Sequence, residues 1–302
     1  MKYLHTLSLL TALAPGLASA EVRVVATLPD LAALARPIVG DRGSVTALSL
    51  ATQDPHFVDA RPSLALALSR ADLLLAAGLE LEIGWLPNLQ VGSRNPKIMT
   101  GAAGFLDCST VVRRLEIPTQ KIDRSMGDIH PGGNPHYLYD PRQALVVIDA
   151  IAERLAAIDP EGAAGYRARA AQERAALSKK IDDWSRRMAP FRGAKVVSYH
   201  RSLVYLADWL GLEIVDHVEP KPGIPPNPGH IAGLLVKMRQ AKVQAILQEA
   251  HHPRTTAELL TEKSGAKLVA FVGGAKDGES YADHLEALVH ALESTLSKGG
   301  PT

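Results

Sequence analysis

Short β-branched runs alternate with stretches of helical periodicity along most of this chain. Val22 to Ala26 reads as a strand, Leu31 to Ile38 as a helix and Val45 to Leu50 as a second strand. Pro62 to Ser69 then leads a helix into a strand over Asp72 to Ala76. Such βαβ alternation predicts a parallel sheet covered by helices. Glu80 to Leu89 carries apolar residues at helical spacing and Lys97 to Met99 offers a further short strand. Asp123 to Asn134, with Gly127, Pro131, Gly132 and Gly133, reads as a flexible flap.

From Pro141 the pattern changes to a helix rich in Ala, Leu, Arg and Glu, broken near Asp159-Pro160 and resumed from Glu161 to about Met188. At 1.5 Å per residue, ~28 residues of helix would span ~42 Å, the height of a two-lobed molecule. Alternation then restarts. Strands are expected over Lys195 to Ser198, Glu213 to His217, Ala245 to Gln248 and Lys267 to Phe271, with helices over Leu203 to Leu210, His230 to Gln240, Thr255 to Ser264 and Tyr281 to Leu296. The predicted fold class is therefore α/β, with an N-terminal lobe over 21–158, a connecting helix over 159–190 and a C-terminal lobe over 191–302.

The first twenty residues have a different character. Lys2, the apolar run Leu7 to Leu13 and the small-residue pattern Ala18-Ser19-Ala20 read as a cleavable secretory signal over 1–20, with no cysteine after it to accept a lipid. The expected product is a soluble, monomeric periplasmic protein that is not embedded in the membrane. Its charge is nearly balanced, with 33 Lys and Arg against 32 Asp and Glu over the full chain. Neither a nucleic acid nor an anionic membrane surface is the expected partner of such a chain. Cys108 is the single cysteine and has no internal partner, so it reads as a small buried residue.

Three histidines sit in short loops far apart in sequence: His56 in Gln-Asp-Pro-His-Phe, His136 in Asn-Pro-His-Tyr and His200 in Val-Ser-Tyr-His. Open α/β sheets bind ligands at the carboxyl ends of their strands, and His56, His200 and Glu249 each follow or end a predicted strand. Neutral imidazole suits zinc, whereas manganese sites usually carry more carboxylate oxygen, so Zn2+ is the expected ion and Mn2+ the less favoured one. Divalent copper is a competitor at any nitrogen site. Taken singly, each histidine also has an ordinary reading, as a turn residue at 56, a neighbour of the helix capped by Asp140 at 136, or a core residue at 200. His130 on the flap is either a solvated loop residue or an auxiliary ligand. His251 and His252 adjoin Glu249, and on an extended segment only one of them would face a site. Glu219 to Pro226 reads as a stiff loop at the rim of the cleft.

Several of these phrases carry a family resemblance. Asp54-Pro55-His56, Ala71-Asp72 with Gly78-Leu79-Glu80-Leu81-Glu82 and Trp85-Leu86, Asn134-Pro135-His136-Tyr137-Leu138-Tyr139-Asp140-Pro141, and Ser198-Tyr199-His200 occur in that order. The chain resembles the zinc- and manganese-binding components of bacterial ABC importers, the ZnuA/TroA-like solute-binding proteins. The resemblance implies two lobes joined by a rigid helix, with metal in the cleft held by His56 and His136 from the first lobe and His200 from the second. It implies delivery of the ion to an ABC transporter permease in the inner membrane. The long connecting helix leads to the further expectation that the lobes move little relative to each other while the flap around His130 to Gly133 orders on metal binding. The fourth position departs from the family pattern, because Val272-Gly273-Gly274 stands where many members carry an aspartate. Glu249 is the expected replacement, with Asp277 or a water as alternatives. A zinc hydrolase using Glu249 as general base, and a metal-binding adhesin or periplasmic metal chaperone on the same fold, are the other classes weighed. Since the ligands must be neutral imidazoles, affinity is expected to weaken as pH falls through ~6.5.

Overall fold

The computed structural model describes residues 21–120 and 126–297. The segment read as a signal, 1–20, lies outside the described residues, as does 121–125, which includes the first residues of the flap. The first lobe holds β1 (Val22–Ala26), α1 (Pro29–Val39), β2 (Gly43–Ala47), α2 (Pro62–Ser69), β3 (Leu73–Ala76), α3 (Leu86–Ser93) and β4 (Phe105–Asp107). Two long helices follow, α4 (Pro141–Ile158) and α5 (Ala163–Met188). The second lobe is β5 (Lys195–Ser198), α6 (Val204–Leu210), β6 (Glu213–His217), α7 (Pro228–Ala241), β7 (Ala245–Glu249), α8 (Arg254–Ser264), β8 (Lys267–Phe271) and α9 (Tyr281–Ser297).

Both sheets are wholly parallel and share one topology, β2-β1-β3-β4 in the first and β6-β5-β7-β8 in the second. In each, the chain reverses its direction of travel across the sheet at the central pair of strands. The crevice that such a switch leaves at the carboxyl ends is where open α/β sheets place ligands. Two departures from the predicted elements have clear causes. Lys97 to Met99 is not a strand: Pro96–Ile98 forms a 3-10 turn capped by Asn95, and the edge strand is Phe105–Asp107. Glu80 to Leu89 is not one helix, because Leu79 and Glu80 adopt left-handed backbone (φ 53° and 64°) and the helix begins only at Leu86. Glu82 explains that turn. Its buried carboxylate accepts the backbone N–H groups of Ala77 and Gly78 and the Thr27 hydroxyl, gathering the loop at the end of β3.

Side chains alternate across each strand, so each sheet has two buried faces. Val25 and Leu74 face an outer core with Leu64, Leu68 and Trp85, and Val197 and Ile246 face the corresponding outer core of the second lobe. The inner faces of both sheets belong to a single apolar cluster running from Val24 and Leu75 through α4 and α5 to Leu247 and Leu288. Helix α5 presents Tyr166, Ala170, Leu177, Ile181, Trp184 and Met188 to that cluster, one stripe at helical spacing. It is fastened at both ends. Arg169 donates to the Ile38 and Val39 carbonyls at 2.7 and 3.1 Å, completing the end of α1, while Arg187 pairs with Glu286 and Glu293 of α9 at 2.7 Å each. A second tie between the lobes is buried. His284 of α9 meets Asp30 of α1 at 3.0 Å through Nδ1 and the Val272 carbonyl at 3.0 Å through Nε2.

Candidate metal centre

His56, His136 and His200 come together in the cleft. Each offers a ring nitrogen, and these three atoms all lie within 4.8 Å of one another. The ring centroids are 5.3 to 5.4 Å apart in all three pairings. Two nitrogens bound tetrahedrally to one zinc at 2.0–2.1 Å stand about 3.3–3.4 Å apart, so the triad needs only a small contraction to seat an ion.

The first two imidazoles are aimed by the same local device. In Asp54-Pro55-His56, the Asp54 Oδ1 accepts both the His56 backbone N–H at 2.9 Å and its Nδ1–H at 2.8 Å. In Asn134-Pro135-His136, the Asn134 Oδ1 accepts the backbone N–H and the Nδ1–H of His136, both at 3.0 Å. An acceptor on Nδ1 places the proton there and leaves the Nε2 lone pair for metal. Trp85 donates to the Pro55 carbonyl at 2.9 Å and pins the first loop. Asn134 also donates to the Arg201 carbonyl at 2.7 Å and to Glu116, which joins the second loop to the other lobe. Asp140 caps α4 through the Arg142 N–H with Pro141 at the first helical position, as the sequence predicts.

His200 leaves the end of β5, and Glu219 accepts from its Nδ1 at 2.7 Å. Glu219 was not singled out by sequence reasoning. It lies in the loop expected to shape the rim, but nothing local marks it as the partner of a histidine nineteen residues earlier. Burial and then the neighbouring imidazoles push His136 well below its ordinary value, so its lone pair is available near neutrality. At His200 burial pulls the same way, but the Glu219 bond and charge outweigh it and the net shift is upward. Burial would raise the Asp54 carboxyl, yet the hydrogen bonds from His56 hold it well below the usual carboxylate range.

His130 stands beside the triad, with its Nε2 3.3 Å from the Nε2 of His56. Burial, then His56 and His200, pull it down to about 4. The flap segment that leads into it, at Gly127 and Asp128, is laid against the second lobe. Asp128 N–H donates to the Pro222 carbonyl at 2.9 Å, and Gly127 and Gly223 press so closely that a β-carbon would stand 2.2 Å from the Pro222 carbonyl or 2.1 Å from the Asp128 carboxylate. Both glycines have positive φ.

Glu249 ends β7 and lines the same cavity of about 60 Å³ as the triad, but the mutually close set of ligand atoms contains neither it nor His130. Ser202 donates to its Oε1 and Tyr139 approaches the same oxygen at 3.5 Å, while its Oε2 has no hydrogen-bond partner among the described residues. Asp277 does not reach the cleft; its side chain is fully exposed and pairs with Arg36 at 3.4 Å. His251 and His252 both line the cavity, against the expectation that one would turn away. They sit in a turn, closed by the His252 N–H on the Glu249 carbonyl at 3.1 Å, and the strand alternation rule does not apply there.

Residues 24–295 match the family described as "Zinc-uptake complex component A periplasmic", ZnuA. The chain belongs to the ZnuA family. It is 26% identical to the high-affinity zinc uptake system protein ZnuA of Paracoccus denitrificans, over 92% of this chain and 93% of that protein. It is 23% identical to the manganese-binding lipoprotein MntA of Halalkalibacterium halodurans, over 92% and 89% of the two chains. Among solved structures, a ZnuA crystal structure superposes with a TM-score of 0.77 at 21% identity, covering 91% of this chain and 99% of the other. A laminin-binding adhesin, Lmb of Streptococcus agalactiae, has a TM-score of 0.74 at 20% identity over 91% and 99%. These likenesses bear out the two-lobed α/β fold expected of a ZnuA-family chain. Among the described residues no helix is long and apolar enough to cross a membrane.

Proposed function

We propose that this ZnuA-family protein captures Zn2+ in the periplasm with His56, His136 and His200 and hands it to an ABC-type membrane importer. The observation that carries the reading is the convergence of three imidazoles, each with Nδ1 already held by Asp54, Asn134 or Glu219 and Nε2 left for the ion. A set of nitrogens is better suited to zinc than to manganese. The fourth ligand in this reading is His130, because its 3.3 Å separation from His56 is the edge of a zinc tetrahedron. Glu249, whose Oε2 has no hydrogen-bond partner among the described residues, is the alternative fourth ligand.

Four imidazoles leave no open position for an activated water, and catalytic zinc sites keep one. That favours transport over hydrolysis. The test is competition of the metal-free protein with a zinc chelator of known affinity. His56→Ala, His136→Ala and His200→Ala should each weaken zinc binding by about 100-fold or more, given that even the partners behind a ligand are worth roughly 10–100-fold. Retention of wild-type affinity by any of the three, or tighter binding of manganese than zinc, would overturn the reading.

A further inference from the structure

The two ligand loops of the first lobe use one device with different residues, Asp54 behind His56 and Asn134 behind His136. A carboxylate is the stronger acceptor for an Nδ1–H, so the amide at 134 needs a separate reason. It lies on the other edge of the side chain. Asp54 only accepts, whereas Asn134 also donates: its Nδ2 meets the Glu116 Oε2 at 3.0 Å and the Arg201 carbonyl at 2.7 Å. Both partners are acceptors, and a carboxylate at 134 would have no hydrogen to offer either.

Glu116 carries this chain of contacts across the cleft. Its Oε1 accepts from the Arg201 guanidinium at 2.5 Å, and Arg201 directly follows the ligand His200. Glu116 does so from a left-handed backbone (φ 52°), a conformation that a residue with a side chain keeps only where its surroundings enforce it. Asn134 N–H donates to the Leu115 carbonyl at 2.8 Å. The Tyr205 hydroxyl of α6 accepts the Leu115 N–H and donates to the Asn134 carbonyl, both at 2.9 Å. Asn134 is 7% exposed, where facing acceptors are screened least. Glu116, Asn134 and Arg201 also wall a cavity of about 340 Å³ that reaches His130, His136 and His200.

We infer that Glu116 and Asn134 are positioning residues that hold His136 and His200 in register across the cleft, and that residue 134 is an amide for this reason. This role rests on the proposed function, in which His136 and His200 are ligands. It reverses the ordinary expectation for Asn134→Asp. If residue 134 served only as an acceptor behind an imidazole, a negative charge there would raise the basicity of the ligand and tighten zinc binding. With Glu116 and the Arg201 carbonyl opposite, the same substitution sets acceptor against acceptor and opens the join between the loops.

The experiment is chelator competition for zinc, with capture and release followed by stopped flow. Asn134→Asp should weaken binding by about 10-fold, the lower end for partners behind a ligand, through faster release and not slower capture. Glu116→Gln should act in the same sense, because its single carbonyl oxygen has to serve both Asn134 and Arg201. Combining Asn134→Asp with Glu116→Gln restores a donor opposite the new carboxylate. The double variant should return to within about 3-fold of wild type, a recovery that two unrelated structural lesions would not show. Unchanged or tighter binding in Asn134→Asp overturns the proposal. So does wild-type release from Glu116→Gln, which keeps the shape of the side chain, or a double variant as weak as the product of the single losses. Wild-type zinc affinity in His136→Ala would instead defeat the proposed function, so the two failures are distinct.

Discussion

Raising the pH should loosen this protein by unmaking the ion pair between His284 and Asp30. Nδ1 of His284 faces the Asp30 carboxylate and Nε2 faces the Val272 carbonyl, each at 3.0 Å. A neutral imidazole can donate from only one nitrogen, so this geometry requires the doubly protonated cation. Burial works against that cation, but Asp30, the Val272 carbonyl and Glu279 outweigh it and raise the group from 6.5 to about 9. Because the folded value lies above the unfolded one, the contribution is complete below pH 6.5 and is lost as pH climbs through about 9. A difference of two to three units corresponds to about 3 kcal/mol, an upper figure. Urea unfolding of the metal-free protein between pH 6 and 9.5 measures it, with His284→Gln as the reference that lacks the titrating ring. The wild-type stability should fall relative to the variant across that window. Parallel pH profiles for the two proteins would refute the assignment of a charged His284.

Three further outcomes follow from the supports of the site. Glu219→Gln, which removes the charge behind His200, should weaken zinc binding by roughly 10–100-fold in a chelator competition, and unchanged affinity would show that Glu219 merely fills space. Asp54→Asn should be much milder than Asp54→Ala in the same assay, because Asn134 already does the equivalent work behind His136; equal losses would contradict the shared device. Gly223→Ala should lower the thermal midpoint and speed zinc loss measured by stopped-flow chelation, since a methyl group there collides with Asp128 and a positive φ of 72° strains any side chain. Wild-type values in both measurements would mean the seam can shift freely.

Much of the architecture was legible because βαβ periodicity dominates local signals: β1, α2, β5, β6 and β8 occupy the residues the pattern predicts. Failures occurred where tertiary contacts override periodicity. Glu82 reaches back to Ala77 and Gly78 and breaks what would otherwise be a helix from Glu80, and β4 is an edge strand of three residues with almost no pattern of its own. At the site, His56 and His136 were legible because Asp-Pro-His and Asn-Pro-His write an imidazole and its orienting acceptor two residues apart. Glu219 was not, because its partnership with His200 is made across a sheet. His130 carried a signal only through its neighbouring glycines, and its approach to His56 spans seventy-four residues. His284 resembled any amphipathic helix residue until α1 was packed against it.

The paired loops that hold His56 and His136 also bear on how fast the ion exchanges. Their rings are oriented during folding, so an arriving cation finds those lone pairs already pointed at it and encounters no search through rotamers. In the proposed reading, entry can then proceed at a pace set by collision and dehydration, whereas departure has to await release of the seam of Gly127 and Asp128 against Pro222 that holds the segment carrying His130. On the proposed function, tight retention and rapid uptake thereby fall to different parts of the same cleft.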